Sequence, residues 1–440
     1  MTFVVVSSSS AIVAAPRGGK TPIARRTRRT ARVVTTHAAS KLSLCVIGEN
    51  LPHPDKRAKG GEDAWFASVD PAKGGGVFGV SDGVGGFNEQ GIDPGLYARV
   101  LSYEALDAAT SGSASSGGGL FGSGGLDPKK VAIAAQANTK LPGAATLCVV
   151  SLDGSKLTCA NVGDSGFRVV RDGGVAYAST AGQHYFNCPY QLSYEELAKE
   201  CDSAKDADVF SFNVKEWDVI VAGSDGLFDN VFDEEIASVV ESAYASASDA
   251  ASAADAAAKA LVKIARQHAG DKKYDSPYAR EAAKSDTDKG GAPKAVGFFD
   301  GFNKMLGGGG NLGGKMDDIT VVVATVVNTS TAQSELAQAS AVCDANTKAL
   351  AKARGQASVE ETKVARTVAL RKEMDAAFKE KVAESNKQEK AMANAKPEFT
   401  RAQIDAMDAP TVRKLLQERG LPTSGKIERL RDRLAEVKAL

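Results

Sequence analysis

Three short apolar runs in this chain each carry aspartate at one end, and that arrangement restricts the fold more than any other feature. Val77 to Val80 runs into Ser81-Asp82-Gly83-Val84-Gly85-Gly86, and Val219 to Ala222 runs into Gly223-Ser224-Asp225-Gly226. In the third case the order is reversed, with Asp317-Asp318 preceding Ile319 to Ala324. Short apolar runs bounded by glycine read as buried strands, and the glycines let the backbone turn tightly beside each acid. Two strands that leave at their acidic ends and one that enters at its acidic end can lie antiparallel. The three acids are therefore expected to meet at one edge of a sheet. Clustered carboxylates repel unless cations neutralise them. No His or Cys stands among them, so the expected cations are hard and oxygen-loving, Mg²⁺ or Mn²⁺. One Asp-Gly after a strand is usually only a turn; three acid-tipped strands argue for metal.

At 440 residues the chain can hold two or three domains. Lys plus Arg and Asp plus Glu number 54 each, so the molecule as a whole is not a polyanion binder and any basic patch is local. Six cysteines (Cys45, Cys148, Cys159, Cys188, Cys201, Cys343) include no CxxC pair. That argues against a structural zinc or a disulfide framework and suits a reducing compartment. No acidic residue precedes Glu49, while Ser7 to Ser10 are followed by Arg17, Lys20, Arg25, Arg26, Arg28, Arg29 and Arg32. This is the composition of an organellar transit peptide over residues 1–40, plastid in preference to mitochondrial; the alternative is a disordered basic arm. The mature chain is expected to start near Ala38 to Lys41, and no uninterrupted apolar run is long enough to cross a bilayer.

Residues 42–328 alternate short apolar runs with glycine turns and read as one α+β domain. Leu42 to Ile47 is expected to be the first strand. In Lys59-Gly60-Gly61-Glu62-Asp63-Ala64-Trp65-Phe66 the paired acids open a strand, so one can face the cluster while the other supports it. Helices are expected over 94–109 and 129–138, with a Gly/Ser loop at 111–125 between them. Strands follow at 145–151, 157–162 and 166–171, turned by Asp153-Gly154 and Asp172-Gly173, and Asp164 falls at a strand end. Asp229 lies one helical turn after Asp225 and would sit back over it. Residues 234–264 form an Ala-rich helix or helix pair. Residues 271–315, with an apolar island at Val296 to Phe299, read as an insertion that is either a substrate-side flap or an inert loop. The Ala, Lys, Glu and Gln-rich stretch 331–395 reads as a solvated helical spacer without a clean heptad, closed by Pro397. Residues 399–440 are compact again. Pro410 opens a helix with Val412, Leu415 and Leu416, a turn runs from Gly420 to Gly425, and Ile427, Leu430, Leu434 and Val437 stripe a second helix. Arg413, Lys414, Arg419, Lys426, Arg429, Arg431 and Arg433 supply local positive charge.

The acids lack the companions of other hydrolases. There is no G-x-S-x-G elbow, HEXXH or Walker loop, and only four histidines. Acids around two hard cations suit hydrolysis by activated water, with no nucleophile from the protein. The chain resembles the metal-dependent protein phosphatases of type 2C. Gly61-Glu62-Asp63-Ala64, Ser81-Asp82-Gly83-Val84-Gly85-Gly86, Asn161-Val162-Gly163-Asp164-Ser165, Ser224-Asp225-Gly226-Leu227-Phe228-Asp229 and Asp317-Asp318-Ile319-Thr320-Val321 match that family's motifs in order. The resemblance implies a four-layer α-β-β-α sandwich of two antiparallel sheets, a binuclear Mg²⁺/Mn²⁺ site at one end, and serine/threonine phosphatase activity on phosphoproteins. It implies that Asp82 bridges the ions, the Gly83 carbonyl and Glu62 bind one with Asp63 in support, and Asp225 and Asp317 hold the other. Asp318 matches the family's usual Asn, and Asp164 and Asp229 match the acids of a weaker third-metal site.

Two departures stand out. Val84 replaces the histidine that serves as candidate general acid, so the leaving group would draw its proton from water at the site or react more slowly. The family's phosphate-binding arginine is not at its usual offset; Lys59, Lys56 or Arg57 would replace it, and Lys59 joins Asp82 and Asp225 as the catalytic assignment. Val84 and the Lys-Gly-Gly-Glu-Asp-Ala run resemble the organellar branch of the family. The C-terminal stretch resembles a SAP module, a two-helix nucleic-acid-binding motif, through Leu416, Arg419 to Gly425, Leu430 and Leu434. It implies weak, salt-sensitive binding of organellar DNA or RNA through residues 409–440; the alternative is a protein-protein role. A monomeric plastid phosphatase is thus expected. The competing readings are a phosphatase of small phosphoesters and a nucleic-acid-bound scaffold with a weak or silent phosphatase domain.

Overall fold

Period-two alternation builds two faces on each strand, and here both faces are apolar. Val219 and Val221 pack with one set of side chains while Ile220 and Ala222 pack with another, and Val321 and Val323 alternate likewise with Val322 and Ala324. Strands buried on both faces must lie between two layers. The chain is described by a computed structural model over residues 41–111, 114, 125–194, 201–287, 312–394 and 399–436. The expected transit peptide, most of the Gly/Ser loop, the island at Val296 to Phe299, Pro397 and Val437 lie outside the described residues.

Among the described residues there are ten strands of five residues or more: β1 (Leu42–Leu51), β2 (Asp63–Ser68), β3 (Gly76–Asp82), β4 (Leu147–Asp153), β5 (Lys156–Val162), β6 (Gly166–Arg171), β7 (Gly174–Ala178), β8 (Asp208–Asn213), β9 (Val219–Gly223) and β10 (Ile319–Asn328). They form two five-stranded antiparallel sheets, ordered β1-β10-β9-β6-β7 and β8-β5-β4-β3-β2. Between them lies an apolar layer including Trp65, Phe78, Val80, Cys148, Val150, Ile220 and Val322. Helices α1 (Pro94–Thr110) and α2 (Pro128–Asn138) cover the second sheet through Tyr97, Leu101 and Val131 against Phe66, Leu147 and Val149. After a one-turn helix, α3 (Asp225–Phe228), the helices α4 (Asp233–Ser246) and α5 (Ala250–Gly270) cover the first sheet through Ile236, Val240 and Leu261. The result is the expected α-β-β-α sandwich.

Several local expectations change. The three acid-tipped strands do not share a sheet edge: β9 and β10 are antiparallel neighbours in the first sheet, while β3 belongs to the second. Stacking of the sheets, rather than strand pairing alone, brings the acids together. β4 and β5 form a hairpin, but β6 crosses to the other sheet, and Gly163-Asp164-Ser165 is that crossing. The 234–264 stretch is a helix pair, and the polar insertion contains a further helix, α6 (Pro277–Thr287).

The 331–395 stretch is one helix, α7 (Gln333–Asn394), but its first half is not a solvated spacer. Leu336, Cys343, Leu350, Ala357 and Val364 recur at seven-residue intervals and are all buried, with Ala339 and Ala353 beside them. Leu350 and Ala357 join the core under α1, and Asn346 Nδ2 donates to the Trp65 carbonyl of β2 at 2.6 Å. Alanine and cysteine conceal this stripe in the sequence, because they score as helix formers or neutral residues more than as apolar anchors. Among its described residues the C-terminal stretch has three helices where two were expected: α8 (Arg401–Ala406), α9 (Ala409–Glu418) and α10 (Ile427–Ala435). Thr400 and Gln403 form a reciprocal capping box that starts α8. Ile404 then completes a small core with Val412, Leu416, Leu430 and Leu434.

Candidate metal centre

The strand register places like charges side by side. Asp63 at the start of β2 is the antiparallel partner of Asp82 at the end of β3. Two carboxylates directly opposite destabilise a ladder unless something else holds them. Here the holding is done from the other sheet. Ser224, between β9 and α3, donates its hydroxyl to Asp63 Oδ2 at 2.7 Å and accepts from the Thr320 N–H of β10 at 3.1 Å. The Asp82 N–H donates to Thr146 Oγ1 at 3.2 Å, and that hydroxyl lies 2.8 Å from Ser165 Oγ in the Asp164 crossing. Small hydroxyls thus join the two sheets directly under the acids.

The pair 317/318 divides its work. Asp318 is buried and accepts from the His53 N–H at 2.7 Å, the Glu62 N–H at 3.1 Å and Lys56 Nζ at 3.1 Å. It is therefore the anchor of the loop before β2, while Asp317 is half-buried beside Lys56 at 3.5 Å and Lys315 at 3.6 Å. Glu62 sits 2.6 Å from Lys56 Nζ and accepts from Asn88 Nδ2 at 2.5 Å. On α3, the Asp229 N–H donates to the Asp225 carbonyl at 2.7 Å, which stacks the two acids one turn apart as their spacing implied. The backbone is equally close: a Cβ at Gly83 would lie 2.7 Å from the Glu62 and Pro94 carbonyl oxygens, so only glycine fits there.

Packing these acids together raises the carboxyls of Asp63, Asp82, Asp164 and Asp229. Burial, then the charges of Asp63, Asp225, Asp317 and Asp164, hold the Asp82 carboxyl well above the usual range. Burial and Asp318 push Asp63 up to about 8, against the pull of the Ser224 hydrogen bond. Burial lifts Asp229 to about 7 despite Lys315, and Asp164 rises well above its ordinary value by burial and by Asp225. Asp225 moves the other way. Burial would raise it, but Lys315 holds it below the ordinary value. Two lysines therefore serve as local counter-charges: Lys56 toward Glu62, Asp317 and Asp318, and Lys315 toward Asp225, Asp229 and Asp317.

The acids fit hard divalent cations. Asp63 Oδ1 and Asp225 Oδ1 are buried with no hydrogen-bond partner, a costly state for carboxylate oxygens unless a cation meets them. The donor set is all oxygen, as Mg²⁺ and Mn²⁺ require. Among the described residues no three acids are yet drawn into one ligand set; the two ammonium groups stand among them.

Lys59, at the end of the 3₁₀ turn Pro54–Lys59, is exposed; the structure brings Lys56 to the acids in its place. A single 3₁₀ turn directs Lys56 and Lys59 differently, and sequence spacing could not choose between them. Lys315 was missed altogether, because a lysine in a Gly-rich polar stretch reads as solvated. In the C-terminal module, Arg419 and Arg431 turn back onto the Leu415 and Met407 carbonyls, and Arg433 onto that of Pro422. Arg413, Lys414, Lys426 and Arg429 are exposed.

No family model matches the chain. A protein of Oryza sativa subsp. japonica named "Probable protein phosphatase 2C 1" is 34% identical over 324 residues, which is 73% of this chain and 87% of the relative. "Probable protein phosphatase 2C 26" of Arabidopsis thaliana is 38% identical over 289 residues, 66% of this chain and 85% of the relative. Among solved structures, that of the photosystem II phosphatase PBCP is 37% identical with a TM-score of 0.53, over 64% of this chain and 99% of that one. With the acids, the sandwich and these relatives in agreement, the chain belongs to the protein phosphatase 2C family of metal-dependent serine/threonine phosphatases, which use Mg²⁺ or Mn²⁺.

Proposed function

We propose that Asp82, Asp225, Asp317, Glu62 and the Gly83 carbonyl hold two divalent cations, with Asp63 in support and Asp164 and Asp229 flanking a weaker third position. The observation that carries this is the pair of unpartnered buried oxygens, Asp63 Oδ1 and Asp225 Oδ1, inside a cluster of acids drawn from both sheets. When bound, such cations acidify and align water and neutralise charge on the phosphoryl oxygens. The chain's own residues do the rest. Ser224 and Thr146 fix the acids, and Lys56 is placed to meet a phosphoryl oxygen beside Glu62 and Asp317. Val84 offers no proton, so the leaving oxygen takes its proton from water.

The substrate is a phosphoserine or phosphothreonine protein, and the protein works in a plastid. The acid-free, Arg- and Ser-rich residues 1–40 support that location, as does the likeness to a photosystem II phosphatase. The C-terminal helices serve as a weak nucleic-acid tether through Arg413, Lys414, Lys426 and Arg429.

The test is hydrolysis of a phosphothreonine peptide and of a sugar phosphate with Mn²⁺, with Mg²⁺ and with EDTA, beside Asp82→Asn. Metal-dependent turnover of the peptide that vanishes in the variant is expected. Faster turnover of the sugar phosphate would replace the substrate assignment. A folded protein with no turnover would favour the scaffold reading. For the tether, a gel shift of the full chain on DNA and RNA should weaken steeply with salt and with Lys414→Glu; no shift at low salt would exclude it.

A further inference from the structure

Lys315 stands two residues before Asp317, and its ammonium is built into the acid cluster. Its side chain is only 12% exposed. It is paired with Asp225 Oδ2, lies 2.9 Å from Asp229 Oδ2 and 3.6 Å from Asp317 Oδ2. The backbone beneath it is fixed rather than free to swing. Its N–H donates to Asn230 Oδ1 at 2.9 Å, and its carbonyl accepts from Asn230 Nδ2 at 2.8 Å. Asn230 is fully buried and held in turn by the Gly226 carbonyl at 3.0 Å, and its own carbonyl lies 2.8 Å from His268 Nδ1. Gly314 packs so tightly on the His268 carbonyl that a side chain there would collide with it. The Tyr278 ring centroid lies 5.6 Å from the ammonium.

Asp225 shows how one acid can serve two cations. Its Oδ2 takes Lys315, while its buried Oδ1 has no partner. On Asp225 the lysine thus leaves Oδ1 to the two-ion assignment, while toward Asp317 Oδ2, at 3.6 Å, its contact is the loosest of the three. It occupies the side of Asp225 that faces Asp229, where a third ion would sit. An ammonium and a divalent cation cannot both sit there, since at such separations their repulsion outweighs what one further carboxylate returns.

On the reading that Asp82, Asp225 and Asp317 hold two ions, we infer that the Lys315 ammonium takes the place of the weaker third cation and limits this site to two. Lys315 is a positioning residue: it orients Asp225 and Asp229 from the protein side and makes the catalytic assembly independent of a third ion.

The test counts Mn²⁺ bound per full-length, metal-stripped chain by isothermal titration and by the loss of the free Mn²⁺ electron paramagnetic resonance signal. Wild type should bind two ions. Lys315→Met should bind three, the third at least about tenfold tighter than any residual third binding in wild type. Lys315→Met combined with Asp229→Asn should return to two, and Lys315→Arg, which keeps the charge, should stay at two. Circular dichroism melts establish that each variant is folded, and Lys315→Gln gives a second neutral replacement should the methionine variant fail to fold. Two ions in wild type and in both neutral variants would overturn the inference while leaving the two-ion site standing, as would three in wild type. Failure of wild type to bind any ion would overturn the two-ion reading, and this inference with it.

Discussion

Removing Arg354 should expose how far the long C-terminal helix is part of the catalytic domain. Arg354 on α7 reaches Glu104 Oε1 of α1 at 2.6 Å through Nε, and Glu361 Oε2 at 2.9 Å through Nη1. The Glu104 side chain is 8% exposed, and burial raises its carboxyl while Arg354 pulls it back. Arg354→Met keeps the apolar stem but strands that carboxylate. Breaking a buried pair by removing one partner costs about 3–5 kcal/mol. Arg354 is 29% exposed, so water screens part of the pair and about 2–3 kcal/mol is the better figure. Combining Arg354→Met with Glu104→Met should recover most of the loss, since an apolar pair of similar volume can match a buried ion pair. Urea titrations of wild type, both single variants and the double variant at fixed Mn²⁺ give the coupling energy directly. A loss below about 0.5 kcal/mol for Arg354→Met would refute the reasoning and make α7 the loose appendage that composition suggested. The same variant should raise the Mn²⁺ needed for half-maximal activity, because Arg99 of α1 holds the Gly61 carbonyl beside Glu62 at 3.1 Å.

Metal-free protein should lose stability as pH rises from about 4 to about 8, because Asp229 at about 7 and Asp63 at about 8 keep protons that the unfolded chain has already released. Thermal melts with EDTA follow this, saturating Mn²⁺ should flatten the slope, and a rise in stability across that window would contradict the assignment. Lys56→Met should lower kcat/KM on a phosphopeptide by about a hundredfold, while Lys59→Met should stay within about twofold; equal losses would return the phosphate-binding role to the exposed lysine. Gly226→Ala should cost about 2–3 kcal/mol, because the new methyl would run into the Asp318 carbonyl, and Mn²⁺ affinity should fall with it. A melting temperature equal to wild type would show that this strand-helix junction yields more than its packing implies.

The acids were legible in the sequence because each ends an apolar run and is followed or preceded by residues that break it. Glu62, Asp82, Asp225 and Asp317 announce themselves in that way, and so does the α+β class. What sequence could not say was which sheet each strand joins. β3 and β9 are both short apolar runs leading to an Asp-Gly, share the layer between the sheets, and are separated only by their outer faces, Val77 under α1 and α2 and Val219 and Val221 under α4 and α5. The lysines were harder still. Lys56 and Lys315 matter through charges brought from distant positions, and nothing within a few residues of either distinguishes it from a solvated lysine. Docking of α7 was hidden for a related reason: its contact face is made of Ala, Cys and Leu at wide intervals, so no local window shows a strong stripe.

β1 lies at the edge of the first sheet and, apart from a single bridge from Ser43 to Gly75, its strand partner is β10, so Leu42 faces Asn328 across nearly three hundred residues of intervening chain. β10 is also the strand that joins β1 to β9, and Asp317 and Asp318 immediately precede it. A chain emerging from the ribosome therefore cannot close that sheet until almost the whole domain has been made. Until then the apolar faces of β1 and β9 have no shared partner, a long-range closure of the kind that slows folding and invites aggregation. Such a chain stays open by construction while it is being synthesised, and chaperones that bind extended apolar segments would have their longest opportunity at Leu44 to Ile47.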